Sequence, residues 1–186
     1  MSLGLYLHIP YCFSKCRYCD FYSAPGQRGV PRAYVDALLR ELSRFSPDAP
    51  LRPDTLYFGG GTPSLLDPAD AARLIAAAQP LPGAEITLEA NPETVTEDSL
   101  RAFREAGVNR ISFGVQSARD SQLKTLGRPH TAKQARAAFA AARRAGFENI
   151  RRATSCWPCP IIRRQSSTRR WSLLRMAARP TFPPTS

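Results

Sequence analysis

The sequence predicts an α/β protein made of repeated βα units around a parallel sheet. Short apolar runs rich in β-branched and aromatic residues alternate with helical runs, and signals for helix starts lie between them. This alternation is typical of parallel sheets, in which crossover helices join consecutive strands. The pattern occupies residues 1–150 and then stops, so we predict one domain over 1–150 and a separate segment over 151–186.

Four strands and the helices between them account for residues 1–150. The strands are predicted at 4–9, 55–60, 85–90 and 110–115. Four helices follow them, and the residues at their starts are Pro31, Asp67, Thr96 and Thr131. Asp and Thr accept hydrogen bonds from the free N–H groups of a first helical turn, and a proline such as Pro68 fits the first position. Gly107 and Gly146 end the last two helices. Four βα units therefore form an arc of sheet.

Charge and composition divide the chain in the same place. The net charge of +11 comes from 26 Lys and Arg against 15 Asp and Glu. Residues 1–150 hold 18 basic and 15 acidic residues, whereas 151–186 hold eight arginines, five prolines and no acid. A strongly basic chain is typical of nucleic-acid-binding proteins, and that alternative stays open at this point. Because eight of the eleven excess positive charges lie outside the βα region, we predict no nucleic-acid partner.

The cellular compartment follows from what the sequence lacks. It has no run of 18 apolar residues, so we expect no transmembrane segment. The start of the chain has neither a basic region nor a small-residue cleavage site, so we expect no signal peptide and a cytoplasmic location. Cysteines in the cytoplasm stay reduced, and five of them indicate metal binding or catalysis before disulfides.

Three cysteines directly after the first strand are the strongest chemical signal. Cys12, Cys16 and Cys19 form a CxxxCxxC motif. Iron–sulfur clusters take thiolate ligands, usually four, and three thiolates would leave one iron open for chemistry. Two alternatives remain at this stage: a zinc site without its fourth ligand, and buried cysteines that serve as small apolar residues.

The residues around the cysteines favour the cluster. The stretch LYLHIPYCFSKCRYCDFY (5–22) resembles the cluster-binding loop of radical S-adenosylmethionine (SAM) proteins, in the branch related to oxygen-independent coproporphyrinogen III oxidase. The resemblance implies a [4Fe-4S] cluster on the three cysteines, with SAM bound to the fourth iron through its amino and carboxylate groups. It also implies a partial radical SAM (β/α) barrel, with about four βα units in this chain.

Further motifs match the same family in the same order. They are YFGGGTPSLL (57–66), EANPET (89–94), GVNRISFGVQS (107–117) and LGRPH (126–130). The resemblance implies that SAM contacts Gly60, Gly61, Thr62, Glu89, Gln116 and Arg128, and that Tyr6 and Tyr18 lie near the adenine and the cluster. Most of these positions follow strands, and parallel α/β sheets bind ligands at the carboxyl ends of their strands.

One feature of the cysteine loop separates subgroups of this branch. Cys19 is followed by Asp20 and Phe21, whereas coproporphyrinogen oxidases carry a fourth cysteine two residues after the third. The pattern resembles the HemW group of heme chaperones, and this implies heme or porphyrin as a partner and a flavodoxin-like electron donor. The alternative within the branch is an oxygen-independent coproporphyrinogen III oxidase.

The resemblance ends near residue 150, where we interpret the sequence as frameshifted. If the codons are read one base out of phase, those of Cys156, Trp157 and Pro158 can encode only Leu and Ala. The neighbouring codons then permit the string DLMLALP, which is the family's next strand. The pair Cys156 and Cys159 would then be accidental and not a redox site. We expect the tail, residues 151–186, to be irregular and disordered. We also expect the truncated chain to lack the family's activity and to leave the edge of the fourth strand unpaired.

Overall fold

A five-stranded parallel sheet forms the centre of the protein. The computed structural model describes residues 2–45 and 50–153. The strands lie in the order in which they occur along the chain, and each pairs in parallel with the next. They are β1 (Gly4–Ile9), β2 (Thr55–Gly60), β3 (Glu85–Ala90), β4 (Arg110–Gly114) and β5 (Asn149–Ala153). The predicted α/β class and the four predicted strands are confirmed.

Helices connect the strands. They are α1 (Arg32–Ser43), α2 (Pro68–Ala78), α3 (Glu97–Glu105), α4 (Asp120–Thr125) and α5 (Ala132–Arg144). The predicted caps of three of them are confirmed, because Asp67, Thr96 and Thr131 each accept a hydrogen bond from a backbone N–H of the first turn. Short 3₁₀ turns at Pro63–Leu65 and Pro92–Thr94 follow β2 and β3.

The two faces of the sheet differ in chemistry because successive side chains in a strand point to opposite sides. One face packs against the helices and forms the apolar core, with fully buried side chains such as Leu56, Phe58, Leu88 and Phe113. The other face carries polar and aromatic groups, among them the ion pair between Arg110 and Glu85 at 2.7 Å. The sheet therefore presents a polar inner surface that leads up to the carboxyl ends of its strands.

The fifth strand corrects our expectation that the sheet order stops at residue 150. β5 pairs with the full length of β4, from Arg110 opposite Asn149 to Gly114 opposite Ala153, so the prediction of an unpaired β4 edge is wrong. The physical reason is that a parallel ladder is made by backbone groups, which Arg151 and Arg152 supply as well as apolar residues do. Of the predicted tail (151–186), residues 154–186 lie outside the described residues, and with them most of the segment to which we assigned the frameshift and disorder.

Two other features of the described chain bear on the predictions. The short helix α4 was not predicted, because it has only six residues and Arg119, the residue before it, makes no side-chain cap. Within residues 2–45 and 50–153, no helix combines the length and apolar character needed to cross a bilayer.

Candidate functional site

The predicted site residues all line one cavity. It has a volume of about 630 Å³ and lies at the carboxyl ends of β1 to β4. The predicted residues that line it are Cys12, Cys16, Cys19, Tyr6, Tyr18, Gly60, Gly61, Thr62, Glu89, Gln116 and Arg128. They come from separate segments of the chain, which the parallel sheet brings together by ending its strands at one edge.

The cysteines lie on a loop that follows β1. All three are free thiols; Cys12 is buried, and Cys16 and Cys19 are partly exposed. Backbone hydrogen bonds shape the loop, with the Cys12 N–H donating to Ala24 O at 3.0 Å and the Cys19 N–H donating to Cys16 O at 3.2 Å. Burial raises the pKa of the Cys12 thiol, although the hydrogen bond from Thr62 acts in the opposite direction. A coordinated metal would lower the pKa of this thiol and hold it deprotonated.

Two glycines at the end of β2 let the backbone approach the neighbouring strand and the cysteine loop closely. A Cβ on Gly61 would lie 2.7 Å from Tyr11 O and 3.0 Å from Cys12 Sγ, and a Cβ on Gly60, whose φ is +119°, would lie 2.5 Å from the His8 ring. The Gly61 N–H also donates a backbone hydrogen bond to Ile9 O at 2.8 Å. Glycine is therefore favoured at position 61 by contact with the cysteine loop, and at position 60 by its positive φ and by contact with the His8 ring of β1.

A chain of hydrogen bonds connects two of the cysteines through the ends of β2 and β3. Thr62 Oγ1 donates to Cys12 Sγ at 3.7 Å, and Asn91 Nδ2 donates to Thr62 Oγ1 at 3.2 Å. Arg128 Nη2 donates to Asn91 Oδ1 at 2.6 Å and also to the Gly114 carbonyl, while Nη1 donates to Cys16 Sγ at 3.0 Å. The strand-end loops thus direct hydrogen-bond donors at two of the three sulfur atoms.

Glu89 is a carboxylate of the cavity wall that is held by neighbouring groups. Its carboxylate accepts hydrogen bonds from the Tyr57 hydroxyl at 2.7 Å and from the Gly60 N–H at 3.3 Å. Burial raises the pKa of Glu89, and these two hydrogen bonds oppose the rise. Tyr57 in turn stacks on Tyr6, with ring centroids 5.9 Å apart. The carboxylate is therefore held in a fixed position beside an aromatic pair.

Gln116 has an unusual backbone conformation. Its φ of +65° lies in the left-handed region, which residues other than glycine rarely adopt. Nearby, a Cβ added to Gly114 would come within 3.6 Å of Gln116 Nε2 and within 3.1 Å of Arg128 Nη2. Backbone strain of this kind is often found at binding sites. The strained residue thus lies at the wall of the cavity, close to Arg128.

The donor set fits an iron–sulfur cluster with one open iron. Three free thiols surround a cavity that also contains a carboxylate and a guanidinium, and the Nε of Arg128 is buried without a partner among the described residues. A bound carboxylate ligand would supply the missing acceptor. In the part of the chain that the structure describes, no three His, Cys, Asp or Glu side chains converge on a single metal ion. An iron–sulfur cluster does not require such convergence, because each thiolate binds a different iron of the cluster.

Two residues of the cavity region were not named from the sequence. Asn91 bridges Thr62 and Arg128, and Tyr57 holds Glu89. Both lie in motifs that the sequence analysis had singled out, at or near the ends of β2 and β3. Their position in those motifs was the available signal, but their partners come from other strands and appear only after folding.

Comparisons with known proteins agree with this arrangement. The family model for the Radical SAM superfamily matches residues 6–158. The chain is 47% identical over 142 residues to the heme chaperone HemW of Escherichia coli (strain K12), covering 73% of this chain and 38% of that protein. It is 41% identical over 151 residues to the mitochondrial radical S-adenosyl methionine domain-containing protein 1 of Bos taurus, covering 76% and 33%. The chain thus spans well under half the length of these curated relatives.

Solved structures give the same result. The coproporphyrinogen III oxidase HemN from Escherichia coli, described as a radical SAM enzyme, superposes with a TM-score of 0.69 at 30% identity and covers 81% of this chain and 36% of that chain. The cobalamin-dependent S-adenosylmethionine radical enzyme OxsB superposes with a TM-score of 0.56 at 17% identity, a likeness of fold alone. Because the family model covers most of the chain and HemN shares its fold, the chain belongs to the Radical SAM superfamily.

Proposed function

We propose that this chain carries the [4Fe-4S] and SAM site of a radical SAM protein of heme or porphyrin metabolism, of the HemW kind of heme chaperone. The observation that carries the proposal is the convergence of three free cysteines, Glu89 and Arg128 on one cavity at the ends of four strands. The identity of 47% to a heme chaperone supports the choice within the superfamily.

In this proposal Cys12, Cys16 and Cys19 hold three irons of the cluster, and SAM occupies the fourth. When bound, the cluster would supply an electron, received from the external donor, for the reductive cleavage of SAM. The protein binds and orients these groups and keeps water away from them. The cluster is the chemical centre, and the residues around it determine where SAM lies.

The SAM contacts are assigned to residues that border the cysteines. Gly60, Gly61 and Thr62 are proposed to meet the methionine end of SAM, and Glu89, Gln116 and Arg128 to supply the other polar contacts. Glu89 is suited to a cationic ligand such as SAM because its charge is held by Tyr57 and Gly60. Tyr6 and Tyr18 are proposed to lie beside the adenine and the cluster, since aromatic side chains stack well on planar rings.

A second candidate function is an oxygen-independent coproporphyrinogen III oxidase. The likeness to the solved oxidase, with a TM-score of 0.69, favours it. The sequence after the third cysteine, Asp20 and Phe21, favours the chaperone instead. In either case we propose a cytoplasmic protein that receives electrons from a flavodoxin-like donor and has heme or a porphyrin as its partner.

Anaerobic reconstitution with iron and sulfide, followed by heme titration, tests the proposal. A chaperone is expected to give a new Soret band that saturates with heme and to leave coproporphyrinogen III unchanged. Conversion of coproporphyrinogen III in the presence of SAM and dithionite would favour the oxidase. An assembled cluster without heme binding or oxidase activity would agree with the expectation that this chain lacks the family's activity. If no cluster is obtained, the proposed function of this chain is wrong.

A further inference from the structure

A buried histidine lies next to the cavity without lining it. The side chain of His130 is 0% exposed, and its partner Glu93 is 15% exposed. His130 Nδ1 lies 2.8 Å from Glu93 Oε2, and Nε2 lies 3.2 Å from the carbonyl oxygen of Val115. Neither His130 nor Glu93 is among the residues that line the cavity. The pair therefore does not contact a ligand in the cavity directly.

The hydrogen-bond partners show how tightly the imidazole is held. The Val115 carbonyl accepts only, so Nε2 of His130 carries a hydrogen. Nδ1 faces a carboxyl group, and one proton must lie between them, either on the ring or on Glu93. Both arrangements give each ring nitrogen of His130 a partner, whereas removal of Glu93 leaves the buried Nδ1 unpaired. The pair therefore fixes the position of the loop that carries His130.

Three segments meet at this pair. Glu93 lies in the 3₁₀ turn after β3, Val115 follows β4, and His130 immediately precedes the cap residue of α5. The loop is fixed on the other side as well, because Asp120 Oδ1 accepts a hydrogen bond from the Ala132 N–H at 2.7 Å. Arg128 lies two residues before His130, so its backbone is anchored close to the buried pair.

We propose that Glu93 and His130 are positioning residues that hold Arg128 against Cys16 and Asn91. The proposal rests on the cluster and SAM site proposed above. Arg128 Nη1 is 3.0 Å from Cys16 Sγ, and hydrogen bonds to ligand sulfurs raise the reduction potential of an iron–sulfur cluster. A shift of the loop would weaken this bond together with the bond to Asn91. The buried pair would thus control both the SAM contact and the cluster potential.

The test is a double-mutant cycle between Glu93 and Arg128 in the reconstituted full chain. The measured quantities are the affinity for SAM, by anaerobic calorimetry, and the reduction potential of the cluster. We expect Glu93→Ala to lower SAM affinity by about fivefold or more, the effect of an unpaired polar group, and to make the potential more negative. In the Arg128→Ala background the same change should alter SAM affinity less than about twofold, because coupled residues are not additive.

Conservative and remote variants separate positioning from general stability. Glu93→Gln should retain nearly normal SAM affinity and potential, because its amide can donate to Nδ1 of a neutral His130. Glu97→Ala removes the 2.6 Å ion pair with Arg144, away from the cavity, and should change neither quantity. His130→Ala should reproduce Glu93→Ala; if that variant does not fold, the Glu93 series still decides the question.

Two results would overturn the proposal. If Glu93→Ala lowers SAM affinity by the same factor in the wild-type chain and in Arg128→Ala, the pair does not act through the arginine. A lower melting temperature with unchanged SAM affinity and potential would assign the pair a purely structural role. If Arg128→Ala lowers SAM affinity and Glu93→Ala does not, the proposed function survives while this inference fails. If the wild-type chain assembles no cluster, both fail.

Discussion

Arg128 Nη1 donates a hydrogen bond to Cys16 Sγ at 3.0 Å, and the two residues lie 112 positions apart in the sequence. The same guanidinium reaches Asn91 and the Gly114 carbonyl, at the ends of β3 and β4. A planar group with several fixed donors is suited to such a junction, and lysine would not replace it. The contact connects the loop of the first βα unit with the segment before α5.

Removal of the Glu89 carboxylate tests the SAM contacts. Glu89→Ala leaves Tyr57 and the Gly60 N–H without their acceptor and removes a proposed partner of SAM. An unpaired polar group costs roughly 1–3 kcal/mol, so we expect SAM affinity to fall about 5- to 150-fold. Anaerobic calorimetry on the reconstituted protein measures it, with Glu97→Ala as the remote control. Unchanged affinity in both Glu89→Ala and Arg128→Ala would show that the assigned contacts are wrong.

The same carboxylate predicts a pH dependence of SAM binding. Burial raises the pKa of Glu89, so its charge is lost at a higher pH than that of an ordinary glutamate, whose pKa is about 4.3. SAM carries a positive sulfonium group, and protonation of Glu89 removes the attraction. The affinity is therefore expected to be highest above the raised pKa and to fall as the pH drops through it. In Glu89→Gln this change should disappear, and an identical pH profile in both proteins would contradict the assignment.

The close contact at Gly61 predicts a large effect of one methyl group. In Gly61→Ala the added Cβ would lie 2.7 Å from Tyr11 O and 3.0 Å from Cys12 Sγ, so the cysteine loop must move. We expect reduced iron content and a weaker cluster absorbance after reconstitution. Gly29→Ala is the matched control, since its Cβ would meet only Leu65 O at 3.9 Å. Equal iron content in the two variants would mean that the loop tolerates the shift.

Deletion of residues 154–186 tests whether the net positive charge of the chain reflects binding to nucleic acid. All proposed ligands lie before residue 154, so cluster assembly and SAM binding should be retained. Any binding to DNA should disappear with the tail arginines, and its salt dependence should disappear too. Filter binding or fluorescence anisotropy at several salt concentrations measures this. DNA binding with a steep salt dependence in the shortened chain would favour a nucleic-acid-binding protein.

Local signals in the sequence were sufficient to predict four strands and three capped helices. Asp67, Thr96 and Thr131 make their hydrogen bonds within the next three residues, so nothing distant decides them. The fifth strand was missed because Arg151 and Arg152 are poor strand signals, while the backbone of β4 provides the pairing. Helix α4 has six residues and no side-chain cap, which gives the sequence little to indicate it.

The sequence likewise predicted some residues of the candidate site and missed others. Its cysteines and glycines were predictable because the motifs that carry them are contiguous. The roles of Asn91 and Tyr57, and the contact between Glu93 and His130, depend on which strand ends become neighbours. Such contacts are set by the parallel order of the sheet, a property of the whole domain and not of any single motif.

The most direct test of the account is the cluster content of single cysteine variants. After anaerobic reconstitution with iron and sulfide, the wild-type chain is expected to contain four irons and four sulfides per chain, as the proposed [4Fe-4S] cluster requires. Cys12→Ala, Cys16→Ala and Cys19→Ala should each lose the visible absorbance of the cluster, whereas changing Cys156 and Cys159 together should not. Full absorbance and iron content in Cys16→Ala would contradict the central claim that these three cysteines hold the cluster.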